Sequence, residues 1–229
     1  NHVDASVNLG IARTEQGQYP AARIWYEKAI RLDPRNFEAH YNLGRLLQLM
    51  GQPAESIAHY RRALEVDSRR AFGHCGLGSA YREAGDLESA IACYRKAVEL
   101  QPESVGTHID LAETFKLQGR LEDALASFER ALALAPDHVP ALGGVVHLRQ
   151  HLCRWEGIEA LWGRVRESIA AGADNGVTPF SSLSMPTTAA EQLACARTWA
   201  QRELAPVIQS RSRLAFDFSA PRPRSRLRV

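Results

Sequence analysis

At 229 residues, 45% of them apolar and 24% charged, the chain has the make-up of a soluble globular protein with material for a substantial core. No apolar run approaches the ~20 residues that cross a bilayer, and no charged start leads into an apolar stretch of the kind that directs export, so the expected location is cytoplasmic. The four cysteines (Cys75, Cys93, Cys153, Cys195) contain no close pair suited to zinc or dithiol chemistry and read as reduced thiols, while the formal charge of +2 conceals six arginines against one acid from Pro206 onward.

From the N-terminus the sequence repeats with a period of 34 residues. Leu9-Gly10, Leu43-Gly44 and Leu77-Gly78 recur at that interval, with Leu111-Ala112 in the fourth place. The columns Tyr26, Tyr60, Tyr94, Phe128 and Ala29, Ala63, Ala97, Ala131 keep step, as do Gly17, Gly51, Gly85, Gly119 and the terminators Pro34, Ser68, Pro102, Pro136. Apolar residues at helical spacing on both sides of each glycine predict a pair of helices per repeat, joined where glycine accepts a left-handed backbone. The prolines end the second helices, and Asn36 and Ser104 are placed to cap the next first helices. Small residues let helices approach to about 8 to 10 Å, and the aromatic column fills the space between repeats.

Residues 1–136 are therefore expected to form four helix pairs. Across 137–171 a fifth pair is degenerate, with Leu142, Val145 and Val146 on its first helix, Ile158, Trp162 and Val165 on its second, and Cys153-Arg154-Trp155 in place of the glycine turn. Residues 172–205 comprise a loop rich in Gly, Ser, Thr and Pro and a linking helix over 189–204, with Leu193, Ala196, Ala200 and Leu204 on one face. Residues 206–229 are expected to be an irregular basic tail.

The five columns resemble the tetratricopeptide repeat. That resemblance implies an all-α, right-handed superhelix of stacked αα-hairpins whose first helices line a groove for extended peptide segments or proteins. The residues it points to are Asn8, Asn42, Arg45, Gln48, Arg82, Asp110, Glu113 and Lys116. Asn8 and Asn42 occupy one position of successive repeats, where a carboxamide offers both a donor and an acceptor to a peptide backbone; Gly76 and Asp110 interrupt this ladder. A clamp for a terminal carboxylate is poorly matched, since the relevant third-repeat positions hold Phe72 and Gly76.

A second resemblance covers about residues 150–229. Leu152-Cys153-Arg154-Trp155, Pro179-Phe180 with Leu183, Glu191-Gln192-Leu193 to Ala196-Arg197 with Trp199-Ala200, and Arg226-Leu227-Arg228-Val229 follow one another as in bacterial and plant-type (SPINDLY-like) relatives of the O-linked N-acetylglucosamine transferase. It implies a substrate-presenting arm for a UDP-GlcNAc-dependent glycosyltransferase domain beyond Val229, with Leu227 to Val229 opening its first strand. No catalytic or sugar-nucleotide residue of that family falls within this chain, and no cofactor is expected in it. The alternative is a free-standing adaptor for assembling protein complexes.

Other patterns look chemical and have blander explanations. His40, His74 and His108 share the 34-residue spacing and are read as packing residues. His147 and His151 stand i, i+4 with no third ligand at a metal-binding interval. Trp155 and Trp162 are read as core. The arginine tail has only Phe216 and Phe218 to stack on bases, so nucleic acid is not the expected partner.

Overall fold

The computed structural model describes residues 2–171 and 188–214, with side chains described to residue 201. It divides into two compact units, Asn1–Glu156 and Gly157–Val229. Among the described residues the regular structure is entirely helical.

The first unit contains α1 (His2–Glu15), α2 (Tyr19–Leu32), α3 (Phe37–Leu49), α4 (Pro53–Val66), α5 (Ala71–Glu83), α6 (Leu87–Leu100), α7 (Val105–Leu117), α8 (Leu121–Leu134) and α9 (Val139–His151). Helices α1, α3, α5 and α7 each pack along the even-numbered helix that follows, and each even-numbered helix packs on the next odd-numbered one as far as α9. The turns inside the pairs are alike. Gly17, Gly51, Gly85 and Gly119 have φ of 72°, 72°, 84° and 78°, and the residue after each glycine donates its N–H to a carbonyl five residues back, as Gln18 does to Arg13 at 2.9 Å. Cys153 takes the equivalent place after α9. Its φ is 54°, and Arg154 N–H closes the same bond to the Arg149 carbonyl at 2.8 Å, so the turn survives without its glycine.

The starts of the helices follow from local chemistry. Asn36 accepts from Ala39 N–H at 2.8 Å, Ser104 from Thr107 N–H at 3.4 Å, and Pro20 and Pro53 stand in the first turns of α2 and α4, where a missing N–H costs nothing. Inside, Tyr26, Tyr60, Tyr94 and Phe128 are fully enclosed. The glycine column exists for them: a Cβ on Gly10 would lie 2.4 Å from the Tyr26 ring, and one on Gly78 would lie 3.0 Å from Tyr94.

The second unit contains α10 (Ile158–Ala170) and α11 (Ala189–Leu214). The N-terminus of α11 is fixed by reciprocal bonds between Thr188 and Glu191: the Thr188 N–H donates to Oε2 at 2.6 Å, and the Glu191 N–H donates to the threonine hydroxyl at 3.3 Å. The helix ends at Leu214, ten residues beyond the expected boundary at 204, and the first part of the supposedly irregular tail is thus helical. Pro206 removes one donor, which bends a helix without obliging it to stop when helix-forming residues without glycine follow. Of the loop expected over 172–188, residues 172–187 lie outside the described residues, as does the tail from 215.

The two tryptophans differ from expectation. Trp155 is 56% exposed, because the residues before α10 leave it on the surface of the turn. Trp162 is half-buried, and its indole N–H is enclosed without an acceptor among the described residues.

Candidate peptide-binding face

The first helices touch one another in series, α1 with α3, α3 with α5 and α5 with α7, so their outward sides form one continuous face. Most of the residues that sequence placed there are already engaged. Gln48 on α3 accepts the Tyr60 hydroxyl at 2.6 Å and reaches α5, donating to Ser79 Oγ at 3.2 Å and to Glu83 Oε1 at 2.9 Å. Arg82 on α5 donates to Asp110 on α7 at 3.3 Å and lies 5.8 Å from the Tyr94 ring centroid. Lys116 pairs with Glu113 and stands 6.0 Å from the Phe128 ring centroid. In α1 the equivalent of Gln48 is Thr14, hydrogen-bonded to the Tyr26 hydroxyl at 3.2 Å. One column thus serves each repeat's aromatic residue: a hydroxyl or amide bonds to the Tyr26 and Tyr60 hydroxyls, and a cation stands over the Tyr94 and Phe128 rings. Partial burial raises the Asp110 carboxyl above the usual carboxylate range, and the Arg82 guanidinium opposes that rise.

The asparagine ladder is the largest departure. Asn8 is exposed and its amide bonds to no described residue. Asn42 was expected to be equally open but is only 8% exposed, and its Nδ2 donates to the Glu38 carbonyl at 2.8 Å, leaving its oxygen as the uncommitted group. At the third place a side chain on Gly76 would meet the Tyr60 ring 2.6 Å from its Cβ, and Gly144, in the fifth place, faces Phe128 at 2.9 Å. The ladder is broken where the preceding repeat's aromatic ring leans into the column.

Arg45 differs from its neighbours. It is exposed and makes no hydrogen bond or ion pair with any described residue. One turn before it stands Tyr41 and one turn after it Leu49, so the three form a stripe of α3. The Phe72 ring on α5 meets Tyr41 edge-on with centroids 4.8 Å apart, and Phe37 lies 5.4 Å from Phe72. Arg70 backs this cluster, 4.9 Å from the Phe37 centroid and paired to Glu38 at 3.2 Å. Phe72 is nonetheless 39% exposed and Leu49 is exposed beside Arg45. Sequence reading noted Phe72 only as a mismatch to a terminal-carboxylate clamp and passed over Tyr41. A signal was present, since Tyr41 and Phe72 break columns that elsewhere hold Val7, Cys75, Ile109 and Asp4, Glu38, Gly106.

The regularly spaced histidines have a structural task. Nε2 of His40, His74 and His108 donates to the carbonyls of Pro34, Ser68 and Pro102 at 3.1, 2.9 and 2.9 Å, clasping each connector between repeats. His40 must therefore carry its neutral-state proton on Nε2, and its Nδ1 accepts from His59 Nδ1–H at 3.2 Å. Burial holds both imidazoles below their ordinary values. The His147 and His151 rings touch, with centroids 4.4 Å apart, and among the described residues no group of three ligands is arranged for a metal. Cys75 and Cys93 are half-buried free thiols; burial pushes Cys93 up to about 11, so it is protonated and inert at neutral pH.

Comparison with known proteins agrees with this architecture. Three overlapping matches to tetratricopeptide repeat models span residues 10–51, 36–103 and 75–139. The chain is a tetratricopeptide repeat protein, a scaffold of the protein-binding type. Similar solved structures include PilF of Pseudomonas aeruginosa (TM-score 0.68, 19% identity, 93% of this chain and 97% of that one) and MamA of Desulfovibrio magneticus RS-1 (0.67, 13%, 75% and 97%). YrrB, a tetratricopeptide protein with an unusual peptide-binding site, also superposes (0.60, 18%, 71% and 84%). No curated protein matches the chain in sequence.

Proposed function

We propose that the face built by α1, α3, α5 and α7 captures an extended segment of a partner protein. The observation that carries this reading is the contrast on that face between locked and open groups. Gln48, Arg82, Asp110, Glu113 and Lys116 are held by bonds within or between repeats, whereas Arg45 has unspent donors one turn from Tyr41, which packs on the partly exposed Phe72 ring, and Asn8 has an unengaged amide on α1 of the same face. Exposed apolar surface rimmed by fixed polar groups is how a protein presents a binding site with little ordering cost. YrrB, on the same fold, has a peptide-binding site. The test is selection of 12-residue peptides on the immobilised chain, followed by titration against Tyr41→Ala/Phe72→Ala. The double variant should bind selected peptides about tenfold more weakly with unchanged helical circular dichroism; equal binding would refute the reading.

The finer reading is that the captured protein is presented to a UDP-GlcNAc-dependent O-glycosyltransferase. Its support is the order of residues from Leu152 to Val229, together with the replacement of the turn glycine by Cys153 and the exposure of Trp155 just after it. The second reading is a free-standing assembly adaptor, with which the tetratricopeptide fold is equally compatible. The coding sequence after Val229 separates them. A histidine soon after a short strand, then two nucleotide-binding lobes, supports presentation to a transferase; a stop codon or a further repeat supports the adaptor.

A further inference from the structure

The open groups on the candidate face have a definite chemistry. Five arginines and lysines lie on the first helices α1, α3, α5, α7 and α9, and four have a partner: Arg13 bonds to Gln18 Oε1 at 2.7 Å, Arg82 to Asp110 at 3.3 Å, Lys116 to Glu113, and Arg149 to Glu129 at 2.6 Å. Arg45 alone among these described residues has none. It is not isolated by distance from the rest of the face. It stands one helical turn from Tyr41, whose phenol is raised by burial and lowered in opposition by the Arg45 charge. The nearby acids are unsuited to neutralising it: Glu38 is paired to Arg70 at 3.2 Å, Glu83 accepts from Gln48 at 2.9 Å, and Glu15 forms no ion pair with it. A guanidinium with five unspent N–H donors beside an aromatic edge is complementary to a carboxylate adjacent to an apolar side chain, because a carboxylate can accept two parallel bonds from the fork.

We infer that Arg45, with Tyr41 and Phe72, forms a subsite for a carboxylate-bearing segment, in which an apolar or aromatic ligand side chain lies against the Tyr41–Phe72 pair and the neighbouring carboxylate bridges the Arg45 guanidinium. This rests on the reading of the face as a peptide-binding surface and gives that surface a preferred ligand. Asn8, on α1 of the same face, supplies a backbone contact of lower selectivity. The carboxylate is that of an aspartate or glutamate side chain within the segment, since the positions that would clamp a chain terminus hold Phe72 and Gly76.

The experiment uses the whole chain and four fluorescent 12-residue Gly/Ser peptides read by anisotropy. One carries a central Phe-Gly-Asp and is capped at both ends; the second is its Asn isostere; the third ends in Phe-Gly with a free carboxylate; the fourth is that peptide amidated. The capped Asp peptide should bind about tenfold more tightly than its Asn isostere, and a preference shown only by the free-terminus peptide over its amide overturns the inference. Arg45→Gln should erase the preference, Asn8→Ala should leave it, and rising salt should reduce it in the native chain. Equal binding of the charged and neutral peptides, or a preference that survives Arg45→Gln, overturns the inference. Failure of all four peptides while the selected peptides still bind also overturns it, and leaves the broader reading standing; failure of selected and designed peptides alike removes both.

Discussion

The column of rings at Tyr26, Tyr60, Tyr94 and Phe128 and the column of alanines at Ala29, Ala63, Ala97 and Ala131 are enclosed in every repeat. One helix away, the column is uneven: Asn8 is exposed, Asn42 is buried on the Glu38 carbonyl, Gly76 lies against the Tyr60 ring, and Asp110 is paired to Arg82. The interior positions face copies of themselves in the neighbouring repeats, so one solution to the packing problem serves all of them. The wall positions face whichever ring or polar group the adjacent repeat offers, and beyond that the solvent or a ligand. Periodicity therefore marks what holds this molecule together, and departures from periodicity mark what it can touch.

That contrast can be tested, beginning with its largest consequence. Ala97→Leu places three additional carbons in a site with no exposure and should cost about 1 to 3 kcal/mol in urea denaturation; a neutral result would mean that the alanine column is not a contact surface. Cys153→Gly should act in the opposite direction, gaining about 1 kcal/mol by relieving a left-handed residue at φ 54°, with thermal unfolding as the measure. Asn42→Ala should cost about 1 kcal/mol through loss of the buried bond to the Glu38 carbonyl. Asn8→Ala, in the same column but exposed, should stay within about 0.5 kcal/mol. Similar costs for both asparagines would erase the distinction between wall and interior.

A pH series sharpens the comparison at repeat two. His40 and His59 are held neutral by burial in the fold, surrounded by Asp33 on the connector, Arg62, Glu65 and Glu55 on α4, and Arg23 and Glu27 on α2. The unfolded chain takes up these protons near pH 6.5, so stability is full above about 6.5 and declines as the pH falls toward the lower folded values. Urea midpoints measured from pH 7.5 to 5 should show that decline, and His59→Phe should flatten part of it.

The fold was legible because five columns in one register leave few alternatives: the turn glycines, the caps at Asn36 and Ser104 and the proline terminators each sit where backbone chemistry requires them. The candidate site was legible only in part. Position in a repeat tells which side chains start out on the first-helix face, but Asn42 is drawn in by its own helix, and Gln48, Arg82 and Lys116 are claimed by the rings beneath them. Tyr41 was passed over and Phe72 was weighed only as a missing cation, because the spacing of one helix does not show that two rings from successive first helices meet edge-on. The end of α11 was misplaced because one proline outweighed eight residues able to continue the helix.

The histidine clasps also determine where this scaffold accepts new sequence. A connector pinned by His40 to the Pro34 carbonyl, six residues earlier, has no slack, and an added residue there would break the bond and shift every later repeat. The hairpin tips at Gly17 and Gly51 carry no histidine clasp, the first having only exposed bonds from Arg13 to Gln16 and Gln18, and a Cβ built at either glycine meets nothing within 4 Å. Reporter loops or affinity epitopes grafted at those tips should leave the spacing of the helices, and with it the geometry around Arg45, undisturbed.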